Sequence, residues 1–99
     1  MIMEVWTGTI VWGKGPEASD FLKRVAAHYD KTLGLKPVVL RAATGPGGRY
    51  LVATSFESYA AREQLYKKRD ADAVWKDLMT EYRKQAHFQH TETHFYEGV

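Results

Sequence analysis

The stretch KPVVLRAATGPGGRYLVATSF, residues 36–56, contains two apolar, β-branched runs on either side of a glycine-rich tetrapeptide. Such runs are typical of strands, and glycine adopts the positive backbone dihedrals of a tight connection at little steric cost. The stretch therefore predicts a hairpin of two antiparallel strands. It does not match a phosphate-binding loop, because that motif requires a lysine followed by serine or threonine and precedes a helix.

The residues before this hairpin predict one strand and one helix. Residues 3–12, MEVWTGTIVW, are rich in β-branched and aromatic residues and predict the first strand. A helix is expected to begin near Pro16 and to end at Gly34, since proline is favoured in a first helical turn and glycine just after a last one. Apolar residues recur between them at three- and four-residue spacing, which predicts one buried helix face.

The residues after the hairpin complete the pattern. Ser58 and Asp72 are suited to cap helices, so residues 58–86 are expected to form one interrupted helix or two in succession. Residues 87–97 alternate as a final strand. The predicted order is β-α-β-β-α-β, which indicates an α+β, ferredoxin-like fold with helices on one face of a four-stranded antiparallel sheet.

Composition limits the classes of function. The 99 residues are 44% hydrophobic and 26% charged, which predicts a single domain over residues 1–99. The absence of cysteine excludes disulfides and thiolate chemistry. A net charge of +2 gives little reason to expect nucleic acid binding. No apolar run approaches the roughly 20 residues that span a bilayer, so we expect a cytoplasmic protein without membrane contact.

The second face of the predicted sheet requires a partner. The first strand has Val5 and Val11 on one face and Trp6, Ile10 and Trp12 on the other, so both faces are too apolar to remain in water. Packing of two sheets against each other would cover the free face and enclose a space between subunits. The sequence therefore predicts a homodimer.

Two segments resemble a known group of proteins. MIMEVWTGTI, residues 1–10, and YLVATSFESYAAREQLYKKRDADAVWKDL, residues 50–78, resemble the NIPSNAP-like proteins of the dimeric α/β-barrel superfamily. The resemblance implies that two ferredoxin-like subunits close a barrel. The superfamily also contains cofactor-independent oxygenases, haem-degrading oxygenases and isomerases of aromatic compounds. Those oxygenases generally use an interior asparagine, which this chain lacks, so their residues are not carried over to it, and Trp75 alone does not imply haem.

The segment HFQHTETHFYEG, residues 87–98, contains the candidate catalytic residues. Strand alternation places His90, Glu92 and His94 on one face together with Phe88. A carboxylate next to an imidazole can orient it and raise its proton affinity, so these three residues are the candidates for proton transfer. No metal site is predicted, because roughly 13 Å separates the backbones of the two histidines on a flat strand. The alternative is a polar strand that forms cross-strand pairs or a solvated dimer rim.

A ligand-binding wall is predicted from aromatic residues. Trp6, Trp12 and Tyr50 provide flat apolar surfaces, and the planar guanidinium of Arg41 suits a carboxylate or phenolate. The alternative is that these aromatic side chains pack a core or an interface.

Together with the resemblance, these residues predict a dimeric barrel protein that binds or transforms a small aromatic or hydrophobic molecule without an organic cofactor. If the protein is an enzyme, the resemblance implies oxygenase- or isomerase-like chemistry. A non-enzymatic dimerisation or ligand-sequestering protein is the alternative. An RNA-recognition domain has the same element order, but Val52 and Ser55 occupy two positions where its third-strand pattern requires aromatic residues.

Overall fold

The computed structural model describes residues 1–45 and 47–99, which contain four strands of one antiparallel sheet. The strands are, in chain order, β1 (Ile2–Ile10), β2 (Val38–Arg41), β3 (Arg49–Phe56) and β4 (Phe88–Glu97). They lie side by side in the order β2-β3-β1-β4. The predicted hairpin is confirmed, since β2 and β3 pair antiparallel. Pro46, which belongs to the predicted connection, lies outside the described residues.

Three helices accompany the sheet: α1 (Gly15–Leu33), α2 (Tyr59–Asp70) and α3 (Ala73–Gln85). Gly34 ends α1 in the left-handed conformation, as predicted. The Ser58 side chain caps α2 by accepting a hydrogen bond from the Ala61 amide at 3.1 Å, and Asp72 caps α3 through the Trp75 amide at 3.0 Å. The predicted segment 58–86 is thus two successive helices, and the fold is ferredoxin-like with one additional helix.

The strands present alternate residues to two faces, which we call the covered face and the open face. The covered face packs against the helices and carries Trp6 on β1 and Val52 on β3. The open face carries Thr7 on β1 and Leu51 on β3, which are paired in register. The core lies between the covered face and the helices, and its largest fully buried side chain is Phe21 of α1, which is 2% exposed.

One strand departs from the predicted alternation. Thr7 pairs with Glu92 and Thr9 with Gln89, so two residues of β4 lie opposite the single residue between Thr7 and Thr9 on β1. This is a β-bulge, and His90 within it has a φ of 52°. The prediction that Phe88 shares a face with Glu92 and His94 is wrong, because the extra residue turns Phe88 to the covered face, where its ring centroid lies 5.0 Å from that of Trp6.

The first strand is shorter than predicted. It ends at Ile10, not at residue 12, because the chain turns at once: the Lys14 amide donates to the Val11 carbonyl at 3.0 Å, and Gly13 has a φ of 83°. Trp12 lies in this turn and is 97% exposed.

Candidate functional site

The main candidate site is a cavity of about 230 Å³ between the covered face of the sheet and the helices. We call it the sheet–helix cavity. Half of its lining residues are aromatic: Trp6, Phe21, Tyr29, Tyr66, Trp75 and Tyr82. Aliphatic side chains of Leu22, Val25, Val52 and Met79 complete the apolar wall. Glu4 and Thr54 are the non-aromatic polar residues of the lining.

The central strand β1 supplies the floor of the cavity through Glu4 and Trp6. The Trp6 ring lies along the strand because Gly8 leaves space for it. A Cβ atom at Gly8 would be 2.6 Å from Cη2 and 2.9 Å from Cζ2 of Trp6. The orientation of the indole in the cavity therefore depends on a residue without a side chain.

A carboxylate marks one end of the cavity. Glu4 Oε1 accepts a hydrogen bond from the Tyr66 hydroxyl at 2.6 Å. Its other oxygen accepts from Nε of Arg62 at 2.6 Å and lies 2.6 Å from Nη2. The Glu4 side chain is only 13% exposed. Charge-assisted hydrogen bonds of this kind are stronger than neutral ones, so they hold Glu4 in place within an otherwise apolar wall.

Arg69 holds Tyr29, which lines the cavity beside Tyr66. Arg69 Nη1 donates to the Tyr29 hydroxyl at 2.8 Å. The Arg69 guanidinium also lies over two rings of the lining, 3.7 Å from the centroid of Tyr66 and 4.4 Å from that of Trp75. Burial raises the pKa of Tyr66, and the neighbouring Tyr29 and Glu4 raise it further. Tyr66 is therefore a neutral hydroxyl that hydrogen-bonds but does not ionise.

The start of α3 is fixed by a contact with α1. His28 Nε2 lies 3.2 Å from Oδ1 of Asp72, the residue that caps α3. The His28 side chain is 8% exposed, so the contact is buried. Because Trp75 is in the first turn of α3, this contact positions one wall of the cavity.

The four predicted ligand-binding residues do not meet at one place. Trp6 lines the sheet–helix cavity, whereas Tyr50 is buried on the same face against Phe88, with ring centroids 6.4 Å apart. Arg41 pairs with Tyr50 in the sheet but is exposed on the edge strand β2. Trp12 lies in the exposed turn that follows β1.

The three predicted catalytic residues do meet, on the open face. His90, Glu92 and His94 line a second cavity, of about 360 Å³, with Arg49 and Tyr96 among its other residues. His94 Nε2 lies 3.0 Å from Glu92 Oε2, and the two side chains are 58% and 68% exposed. The sheet separates this open-face cavity from Trp6, so the predicted proton-transfer residues and the Trp6 wall are on opposite faces of one subunit.

Sequence reasoning missed the polar end of the sheet–helix cavity. Glu4 is separated by 58 residues from Arg62 and by 62 from Tyr66, so no local pattern connects them. The sequence did contain one indication. Glu4 lies at an even position of the first strand, like Ile2 and Trp6, so strand alternation places its carboxylate on the same apolar face. A charge on such a face requires a buried partner.

Two further features concern residues 1–45 and 47–99, namely clusters of metal-ligating side chains and the length and apolarity of the helices. No group of three or more histidine, aspartate or glutamate side chains there has the geometry to hold a metal ion. None of the helices in that part of the chain combines the length and apolarity needed to cross a membrane.

Several solved structures share this fold. A NIPSNAP family protein from Agrobacterium tumefaciens superimposes with a TM-score of 0.83 at 19% identity, over 99% of this chain and 85% of that one. A NIPSNAP domain protein from Burkholderia xenovorans gives 0.75 at 23% identity, over 100% and 95%. SnoaB, a cofactor-independent oxygenase from Streptomyces nogalater, gives 0.73 at 17% identity, over 98% and 91%.

The predicted resemblance to NIPSNAP-like proteins is confirmed at the level of the fold. No protein-family model matches the chain, and the comparison with curated proteins gives no match. The fold is therefore shared both with NIPSNAP proteins and with an oxygenase, and the fold alone does not decide between binding and catalysis.

Proposed function

We propose that this protein binds a small aromatic or hydrophobic compound in the sheet–helix cavity. One observation carries the proposal: six aromatic side chains surround a cavity of about 230 Å³ with a carboxylate at one end. An apolar cavity of roughly 150 Å³ already holds a benzene molecule, so this volume suits a compound with a single ring. Ligand sites are typically apolar, with a few polar groups that fix orientation.

If the protein is an enzyme, the proposal is that it performs oxygenase- or isomerase-like chemistry on the bound compound. The similarity of fold to SnoaB supports it. The cavity also contains Trp6, a predicted ligand-binding residue, and the Glu4 carboxylate, which can accept a proton. The cysteine-free sequence is consistent with the cytoplasm as the site of action.

Binding is tested by titrating the purified protein with toluene and following the fluorescence of its tryptophans, two of which line the cavity. A saturable change is expected in the wild type. Met79→Trp adds volume inside the cavity and should abolish the change, whereas Val74→Trp, at a position 53% exposed on α3, should leave it intact. Equal responses of the wild type and the folded Met79→Trp variant would disprove binding in this cavity.

We further propose that two copies pack through their open faces. Val38 and Leu40 on β2 are 52% and 51% exposed, and both lie on the open face because they pair in register with Ala53 and Leu51. An exposed apolar sheet face of this kind marks an interaction surface. The partner would also enclose the open-face cavity.

Self-association is tested by sedimentation velocity over a range of protein concentrations. The wild type should sediment as a dimer and Leu40→Glu as a monomer. Val74→Glu introduces the same charge at a matched exposure on α3 and should remain dimeric. A wild type that is monomeric at every concentration contradicts the proposal.

Acid/base chemistry on the open face is a second candidate function, favoured by the 3.0 Å contact of His94 with Glu92. In a dimer these groups, with His90, would face an enclosed space in which the carboxylate can orient the imidazole for proton transfer. Once a reaction has been identified, His94→Gln and His90→Gln should each reduce kcat if this site performs it. Unchanged kcat in both variants would leave the residues as polar strand positions.

A further inference from the structure

We infer that the compound bound in the sheet–helix cavity donates a hydrogen bond to the Glu4 carboxylate, so that the fitting class is a single aromatic ring with a hydroxyl or N–H group. This inference rests on the proposed function and adds the chemistry that the cavity recognises. It follows from which donors and acceptors near Glu4 already have hydrogen-bond partners within the protein.

The positive groups near the cavity are directed at protein acceptors. Arg62 donates to Glu4 through Nε at 2.6 Å. Arg69 donates to the Tyr29 hydroxyl at 2.8 Å and to Asp70 at 3.1 Å. A ligand that only accepts hydrogen bonds, such as an ether, would have to compete with these protein acceptors for a guanidinium donor.

The Glu4 carboxylate, in contrast, can accept a further hydrogen bond. A carboxylate has about four lone-pair sites, and Glu4 receives the Tyr66 hydroxyl and two contacts from Arg62. Tyr66 has a single hydroxyl proton and gives it to Glu4, so Tyr66 has no proton left for a ligand. Glu4 therefore presents its remaining lone-pair site as an acceptor, and a ligand donor matches it.

The two groups have different parts in this recognition. The raised pKa of Tyr66 keeps its hydroxyl neutral at ordinary pH, so Tyr66 does not remove a proton from a ligand. Glu4, held by Arg62, supplies the negative charge that strengthens a hydrogen bond from a ligand hydroxyl. Glu4 is the specificity residue of the cavity, and Tyr66 holds the Glu4 carboxylate in place through its hydrogen bond to Oε1.

The test compares the affinities of phenol, anisole and toluene by isothermal titration calorimetry. A purely apolar cavity prefers toluene and anisole, because phenol is the most strongly hydrated of the three. We expect the opposite order in the wild type, with phenol binding about tenfold more tightly than anisole, since a charged acceptor left without its donor is costly. Glu4→Gln should remove this preference, while Glu63→Gln, an exposed carboxylate on α2, should retain it.

Each outcome of this experiment is informative. If toluene and anisole bind the wild type at least as tightly as phenol, the inferred recognition is wrong but the cavity is still a binding site. If none of the three binds, the proposed function itself fails. The order of affinities in the wild type decides the inference even if Glu4→Gln does not fold.

Discussion

Replacing Glu4 with glutamine should lower the free energy of unfolding far more than removing an exposed charge does. The substitution keeps the shape of the side chain but removes the charge that holds Arg62. Glu4 and Arg62 are 13% and 29% exposed, so the guanidinium would be left largely out of water without its counter-charge. Removing one partner of a fully buried pair costs roughly 3–5 kcal/mol, whereas an exposed pair contributes about 1 kcal/mol or less. Partial access of water to Arg62 places the expected loss between these limits, at about 2 kcal/mol.

The measurement is urea-induced unfolding at pH 7, followed by circular dichroism. Glu63→Gln is the matched control, because Glu63 also pairs with a basic residue, Lys67, but at 3.9 Å and with side chains 71% and 76% exposed. Its free energy of unfolding should change by less than about 0.5 kcal/mol. Equal effects of Glu4→Gln and Glu63→Gln would refute the assignment of Glu4 as a buried, paired carboxylate.

Three further substitutions test separate features of the fold. Gly8→Ala should lower the free energy of unfolding by about 1–3 kcal/mol, because the new methyl group would overlap the Trp6 ring; an unchanged thermal midpoint would contradict this packing. Ala86→Gly should raise the free energy of unfolding by about 0.5–1 kcal/mol, because residue 86 has a φ of 47° that glycine adopts without strain. A lower urea midpoint in this variant would contradict that backbone conformation. The hydrogen bond from Arg24 lowers the pKa of Glu81 below its ordinary value of 4.5, so this pair stabilises the protein above pH 4.5 and the contribution is lost as the pH falls further. Glu81→Gln should therefore be less stable than the wild type at pH 7, and the difference in free energy of unfolding should shrink as the pH falls below 4.5; a difference that stays constant on acidification would exclude this linkage.

The elements of this fold were predictable because their signals are local. Ser58, Asp72 and Gly34 are cap residues whose hydrogen bonds or backbone angles involve only their immediate neighbours, and all three cap helices in the structure. The hairpin likewise follows from two apolar runs with glycines between them. Such features need no knowledge of the rest of the chain.

The faces of the strands were harder to predict. Alternation separates Trp6 from Val5, but on a strand that is apolar on both sides it does not tell which set meets the helices. The β4 strand has no internal glycine, and no residue pattern in it predicts the bulge at His90. Because a single extra residue reverses the face of everything beyond it, alternation misplaced Phe88.

The polar end of the cavity was not predictable from local pattern. Glu4 meets Arg62 and Tyr66 only because β1 and α2 pack together in the folded chain. The candidates chosen from sequence were instead concentrated in β4, where His90, Glu92 and His94 lie close together in the chain.

The most direct test of the central claim is a nuclear magnetic resonance titration of the ¹⁵N-labelled protein with phenol, read out residue by residue. If the sheet–helix cavity is the binding site, the largest amide shifts should fall on Val25 of α1 and Met79 of α3, which line it from the helix side. Leu51 and Glu92, which line the open-face cavity, should change little. Shifts confined to Leu51 and Glu92, or no saturable shift at any residue, would contradict the account.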